Sequence, residues 1–163
     1  MAGGGRGYLE GDTIWWRLGI KDRLGELVGA CYCVAASDGH VADAEIAVIA
    51  EQIVAFAERE VGLGEVEGLL TAARDEVRST GIEGYVAGLG RRLDEEARSQ
   101  LLSAAAATML ADGEVSVDER RVYFQIARAL GMPEPEAEFL IDTVEASRRE
   151  LQRRNSSPGP LGG

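Results

Sequence analysis

Ser37-Asp38-Gly39-His40-Val41-Ala42-Asp43-Ala44-Glu45 returns 74 positions later as Ala111-Asp112-Gly113-Glu114-Val115-Ser116-Val117-Asp118-Glu119. The frame common to both copies is Asp-Gly-x-Val-x-x-x-Glu, and each copy lies between two apolar segments with helical spacing. An internal repeat constrains architecture more than any single residue, because two similar units bury their apolar faces against each other. It also sets four carboxylates, Asp38, Glu45, Asp112 and Glu119, at equivalent points of the two units.

The flanking patterns are helical throughout. Residues 1–11 are Gly-rich and read as a flexible N-terminus. Helical spacing begins near Asp12 or Thr13, with a break expected at Gly19-Ile20-Lys21, and runs through Leu24, Leu27, Val28, Cys31 and Val34. Trp15 and Trp16 read as anchors of this helix on the bundle. Ile46, Ile49, Ile53 and Phe56 share one face of a helix over 44–61, which Gly62-Leu63-Gly64 is expected to end. Further helices are expected over 65–79, 82–93, 95–111 and 117–130, the last stopped by Gly131-Met132-Pro133. Pro135 opens a final helix carrying Phe139, Leu140, Ile141, Val144 and Leu151 to about Arg153. Residues 154–163 read as a flexible tail.

No run alternates apolar and polar residues as a strand requires. The expected fold is all-α, one domain over 12–153. It is a bundle of about seven helices whose two helix–turn–helix units, near 24–61 and 96–130, are related by a pseudo-two-fold.

Each Asp-Gly turn has the chemistry of a hard-cation pocket. The last carbonyls of a helix lack intrahelical partners and carry partial negative charge. The Asp follows at that end, the Gly allows the reversal, and the Glu sits in the first turn of the next helix. Asp-Gly, five residues, then Glu is the second half of an EF-hand loop. The first half is missing, since Val34, Ala36, Thr108 and Leu110 stand where earlier acidic ligands belong. One copy supplies about two side-chain ligands where Ca²⁺ takes 6–8 oxygens, so two copies face to face are expected to share a site. Ca²⁺, Mg²⁺ or Mn²⁺ suit such oxygen donors.

The competing reading is purely structural. Ser116 and Glu119 have the spacing of a capping box, whereas the first copy has Ala42 at the cap and keeps Glu45. His40 is the only histidine and reads as a turn residue; Glu114, Asp43 and Asp118 add negative potential nearby.

A net charge of −11 speaks against nucleic acid, whose phosphates need a basic surface. No apolar run reaches the ~20 residues of a membrane span, and a cytoplasmic location is expected. Cys31 and Cys33 point ~200° apart on a helix and read as small buried residues, not a disulfide or zinc pair. One histidine cannot furnish the two Glu-x-x-His motifs of a di-iron bundle, and no nucleophile triad or phosphate loop is present. The chain therefore reads as no enzyme.

Ala111 to Glu119 resembles the hallmark of the tellurite-resistance TerB-like family, which is also found as the N-terminal domain of DjlA-type co-chaperones. Ser37 to Glu45 is similar to a degenerate copy, and Leu-Gly-Met-Pro at 130–133 fits the family's end pattern. The likeness spans roughly residues 24 to 145. It implies an all-helical fold with metal held by Asp38, Glu45, Asp112 and Glu119. It further implies a stress-response role, including tellurite resistance, and protein partners among membrane-associated Ter-type proteins. There is no J-domain His-Pro-Asp triplet, so the chain is not a complete co-chaperone. Two functions are thus expected to compete: a divalent-cation-binding stress protein, and a protein-interaction or scaffold module whose Asp-Gly motifs only shape turns.

Overall fold

A computed structural model describes residues 20–57, 59–91 and 93–156. The described residues form seven helices and no strand: α1 (Ile20–Ala35), α2 (Asp43–Ala57), α3 (Leu63–Thr80), α4 (Ile82–Ala87), α5 (Glu95–Met109), α6 (Val117–Ala129) and α7 (Glu134–Ser156). The all-α bundle expected from periodicity is the fold observed. The expectations for residues 1–11, for a helix from Asp12, for Trp15 and Trp16, and for the tail beyond Ser156 lie outside the described residues.

Alanine explains which helix is central. Ala104, Ala105 and Ala106 are fully buried, so neighbours approach α5 closely on several sides while the helix keeps its best former. α5 packs on α1, α2, α6 and α7. The opening helices of the two repeats, α1 and α5, lie on each other. α1 also touches α6, and α5 touches α2. Exchanging the two units converts one of these cross-contacts into the other, which is the pattern a pseudo-two-fold produces. α3 and α4 join the units and pack on α1.

α1 is buried on two sides. One side meets Ile49, Ile53 and Leu69 through Leu24, Leu27 and Cys31. The other meets Leu102, Met109 and Tyr123 through Ala30, Cys33 and Val34. Side chains two apart on a helix can both be internal only when the helix has core on opposite flanks. That accounts for Cys31 and Cys33, both buried and both free. Burial pushes each thiol up to about 12, with the Thr108 hydroxyl acting the other way on Cys31. They are core residues, as expected, and poor nucleophiles.

Two glycines permit close approaches. A Cβ on Gly29 would fall 1.9 Å from the Tyr85 hydroxyl, so only Gly lets the tyrosine lie on α1, where it donates to the Gly25 carbonyl at 3.1 Å. Gly90, at φ +84°, lies against the Leu130 side chain. Its N–H donates to Glu26 Oε1 at 3.3 Å, and its carbonyl accepts from Arg98 at 2.8 Å. Arg98 also donates to the carbonyls of Leu93 and Leu130. These bonds tie the first half of α1, the α4–α5 connection and the end of α6 together at one end of the bundle.

Three boundaries differ from expectation for physical reasons. α2 stops at Ala57, and Gly62 is the N-cap of α3, not a C-cap of α2. Arg59, in the connection, donates to the Glu60 carbonyl and pairs with Glu65 in α3. α4 ends at Ala87, not at Leu93; Gly88 and Gly90 unwind it, and Leu89 and Leu93 enter the core from irregular backbone. α7 runs to Ser156, but Phe139 and Leu151 face outward, 71% and 57% exposed.

Candidate functional site

The two hairpins share three equivalent hydrogen bonds. In each, the glycine adopts positive φ, +85° at Gly39 and +82° at Gly113, and donates back to the carbonyl three residues earlier, Ala36 or Leu110. Asp38 Oδ1 accepts from the His40 N–H at 3.0 Å, and Asp112 Oδ1 from the Glu114 N–H at 3.1 Å. These are Asx turns, local side-chain copies of a backbone turn. Glu45 Oε1 accepts from the Ala42 N–H at 2.8 Å, and Glu119 Oε1 from the Ser116 N–H at 3.0 Å.

The differences are as orderly. Ser116 Oγ accepts from the Glu119 N–H at 3.0 Å, which completes the capping box expected there. Ala42 has no such oxygen, and the Glu45 N–H turns to the Ala42 carbonyl instead. Ser37 Oγ donates to the Val34 carbonyl at the end of α1. The second hairpin has Ala111 at that place, and its carbonyl accepts from Arg148 of α7 at 3.2 Å.

The four carboxylates divide by position. Asp38 and Asp112 are exposed in their turns, as are His40, Asp43 and Glu114, while Asp118 pairs with Arg121 at 3.1 Å. Glu45 and Glu119 are buried, 3% and 4% exposed. Their carboxyl groups face one another, and the charge of Asp112 reaches Glu45 as well. Equivalent residues of two units meet only beside the axis that relates them, so this pair marks the pseudo-two-fold. Among the described residues, no three His, Cys, Asp or Glu side chains are gathered closely enough to hold a metal ion. The convergence is therefore a pair of glutamates with one aspartate nearby, not four carboxylates at a point.

Burial pushes the Glu45 carboxyl up to about 7. The Ala42 N–H opposes that rise, and the Glu119 carboxyl and the charges of Glu119 and Asp112 add to it. Glu119 Oε2 is buried with no hydrogen-bond partner. A buried carboxylate oxygen left unpaired costs more than most polar atoms, and two adjoining carboxylates compound the cost. A proton or a cation between the glutamates relieves both.

Their burial was legible in spacing. Glu45, Ile49 and Ile53 stand at i, i+4 and i+8, and Glu119, Val122, Tyr123 and Ile126 at i, i+3, i+4 and i+7. Each glutamate thus heads the core face of its helix. Arg148, fifteen or more residues beyond any motif, had no local signal.

A family model described as tellurite resistance protein TerB matches residues 26–140. The chain belongs to the TerB family. The TerB match begins in α1, ends in α7 and takes in both hairpins with all four acidic positions, while Arg148 lies past its end. No curated protein and no solved structure matches the chain. Among the described residues no helix is long and apolar enough to cross a membrane.

Proposed function

We propose that this TerB-family chain is a non-enzymatic, divalent-cation-binding protein of the tellurite-resistance and stress-response type, working with protein partners. The ion is held at the axis between Glu45 and Glu119, with Asp112 at the rim. The observation that carries this is the buried, partnerless Glu119 Oε2 set against a second buried carboxyl. The donor set is all oxygen, which fits hard cations. One oxygen of each glutamate already accepts a backbone N–H, so few side-chain oxygens remain for a metal. Mg²⁺ commonly keeps several waters and one or two carboxylates, whereas Ca²⁺ needs 6–8 oxygens. The pair therefore suits Mg²⁺, or Mn²⁺ of similar donor preference, better than Ca²⁺.

The scaffold alternative has its own support, since every one of the four carboxylates also tidies its own turn or helix start. Isothermal titration with MgCl₂, MnCl₂ and CaCl₂ separates the two. The expected result is saturable heat in the native chain that is abolished in Glu45→Gln/Glu119→Gln and weakened in Asp38→Asn/Asp112→Asn. Identical isotherms for all three proteins would leave the hairpins as turns alone.

A further inference from the structure

We propose that α7 is the surface through which two copies of this chain pair, antiparallel and about a two-fold axis. Phe139, Thr143, Ser147 and Leu151 follow one another at four-residue steps, which makes them a single ridge of the helix, and all four are exposed. The ends of the ridge are large apolar side chains, 71% exposed at Phe139 and 57% at Leu151. The Thr143 hydroxyl donates to the Phe139 carbonyl at 3.0 Å, so its polar atom is satisfied within the helix and its methyl is left to the face. Beside Phe139 lies a groove of about 380 Å³ lined by Ser99, Met132, Pro135, Glu136, Phe139 and Leu140. A lone exposed aliphatic needs no explanation, but an exposed aromatic ring at the edge of a concavity, in line with a second large apolar side chain, marks a contact surface.

Charge selects the occupant. From Glu134 to Glu145, α7 carries Glu134, Glu136, Glu138, Asp142 and Glu145 and no base. From Ala146 to its end it carries Arg148, Arg149, Arg153 and Arg154 against Glu150 alone. The helix dipole accounts for acid in the first turn and base in the last, but not for a division that runs to the middle of the helix. A second α7 laid antiparallel sets the acidic half of each copy on the basic half of the other. Laid parallel, it would set like on like, which is repulsive.

A two-fold makes the match explicit, because each residue meets the partner's counterpart and is met by it in turn. The ridge has its midpoint at Glu145. Phe139 therefore faces the partner's Leu151, Thr143 faces the partner's Ser147, and Glu136, three residues before the ridge, faces the partner's Arg154, three residues after it. Glu136 and Arg154 are both exposed. Arg154 lies 3.4 Å from Glu150 of its own helix, but an exposed pair of that kind contributes little and gives way readily. From Glu136 to Arg154 the helix runs about 27 Å. A strip of that length buries less than the roughly 1,600 Å² of a standard interface, so a weak dimer is expected, with a Kd of about 10–100 µM.

Sedimentation velocity of the full chain from about 1 to about 500 µM is the assay, and the native chain is expected to pass from monomer to dimer across that range. Phe139→Asp should raise the dissociation constant about tenfold or more. Glu136→Arg alone and Arg154→Glu alone each set like charges together at both ends of the pair, and each is expected to weaken association about tenfold or more. Mixed in equal amounts, the two single variants should associate again, since each then meets its opposite. The double variant Glu136→Arg/Arg154→Glu should dimerise as the native chain does. Loss of fold cannot imitate this, because two unfolded chains do not rescue one another; far-UV ellipticity checks each variant as well. A native chain that stays monomeric to about 500 µM overturns the proposal, whether the face meets a different protein or only water. So does a dimer indifferent to Phe139→Asp or to both charge variants. A dimer that the single charge variants weaken and their mixture does not restore overturns it too, since the two copies would then meet in another register.

Discussion

Glu45→Gln tests the paired glutamates by removing one charge and almost no volume. The amide oxygen still accepts from the Ala42 N–H, and the new NH₂ takes the place of the charged oxygen beside the Glu119 carboxyl. Raising a carboxyl from its ordinary 4.5 to about 7 weighs against the ionised folded state by about 3 kcal/mol. Solvent around the exposed Asp112 screens part of this, leaving about 1–3 kcal/mol. The sign follows from proton counts. With its folded pKa above its unfolded one, Glu45 supports the native state fully below about 4.5, and that support is lost as pH rises through about 7. Glutamine removes the loss. At pH 8 in EDTA the variant is expected to melt about 2–12 °C above the native chain, at roughly 2–4 °C per kcal/mol for a chain of this size. At pH 5 the gap should shrink to a small fraction, because that pH lies close to the unfolded value of 4.5 and most of the loss falls between there and about 7. Differential scanning calorimetry at the two pH values is the assay. A variant that melts lower at pH 8, or a gap of equal size at both, would refute the reasoning.

Two further outcomes bear on the fold. Gly29→Ala should destabilise by about 1–3 kcal/mol in urea unfolding, despite the better helix former, because the methyl would displace the Tyr85 ring from α1. Ser116→Ala should lose about 1 kcal/mol with its cap, while Ala42→Ser, which installs the same cap in the first repeat, should gain about 0.5–1 kcal/mol in the same assay.

The repeat, the helix order and the all-α class were readable because apolar residues recur at helical spacing and Gly punctuates them. α4 was read too long, since nothing local to Leu89 and Leu93 distinguishes a buried residue on a helix from a buried residue on irregular backbone. Phe139 was read as core because it adjoins Leu140 and Ile141. It lies two positions from both Ala137 and Ile141, the inward residues of α7, and so points to the other face. At the hairpins the residue types were right, but their roles divide by depth. An Asp before a positive-φ Gly sits at the tip of a reversal and faces water; a Glu in phase with Ile49 or Val122 cannot avoid the interior. How close the two glutamates come depends on how one unit seats on the other, which no segment encodes alone.

The Arg148 strap makes the twin hairpins unequal in their dependence on the rest of the molecule. Whatever grips or pulls on the C-terminal helix acts on the Ala111 carbonyl as well, and through it on the turn that positions Asp112. The first hairpin, closed by its own Ser37, is insulated from such a tug. A partner seizing α7 would thus loosen one jaw of the duplicated clasp and leave the other shut.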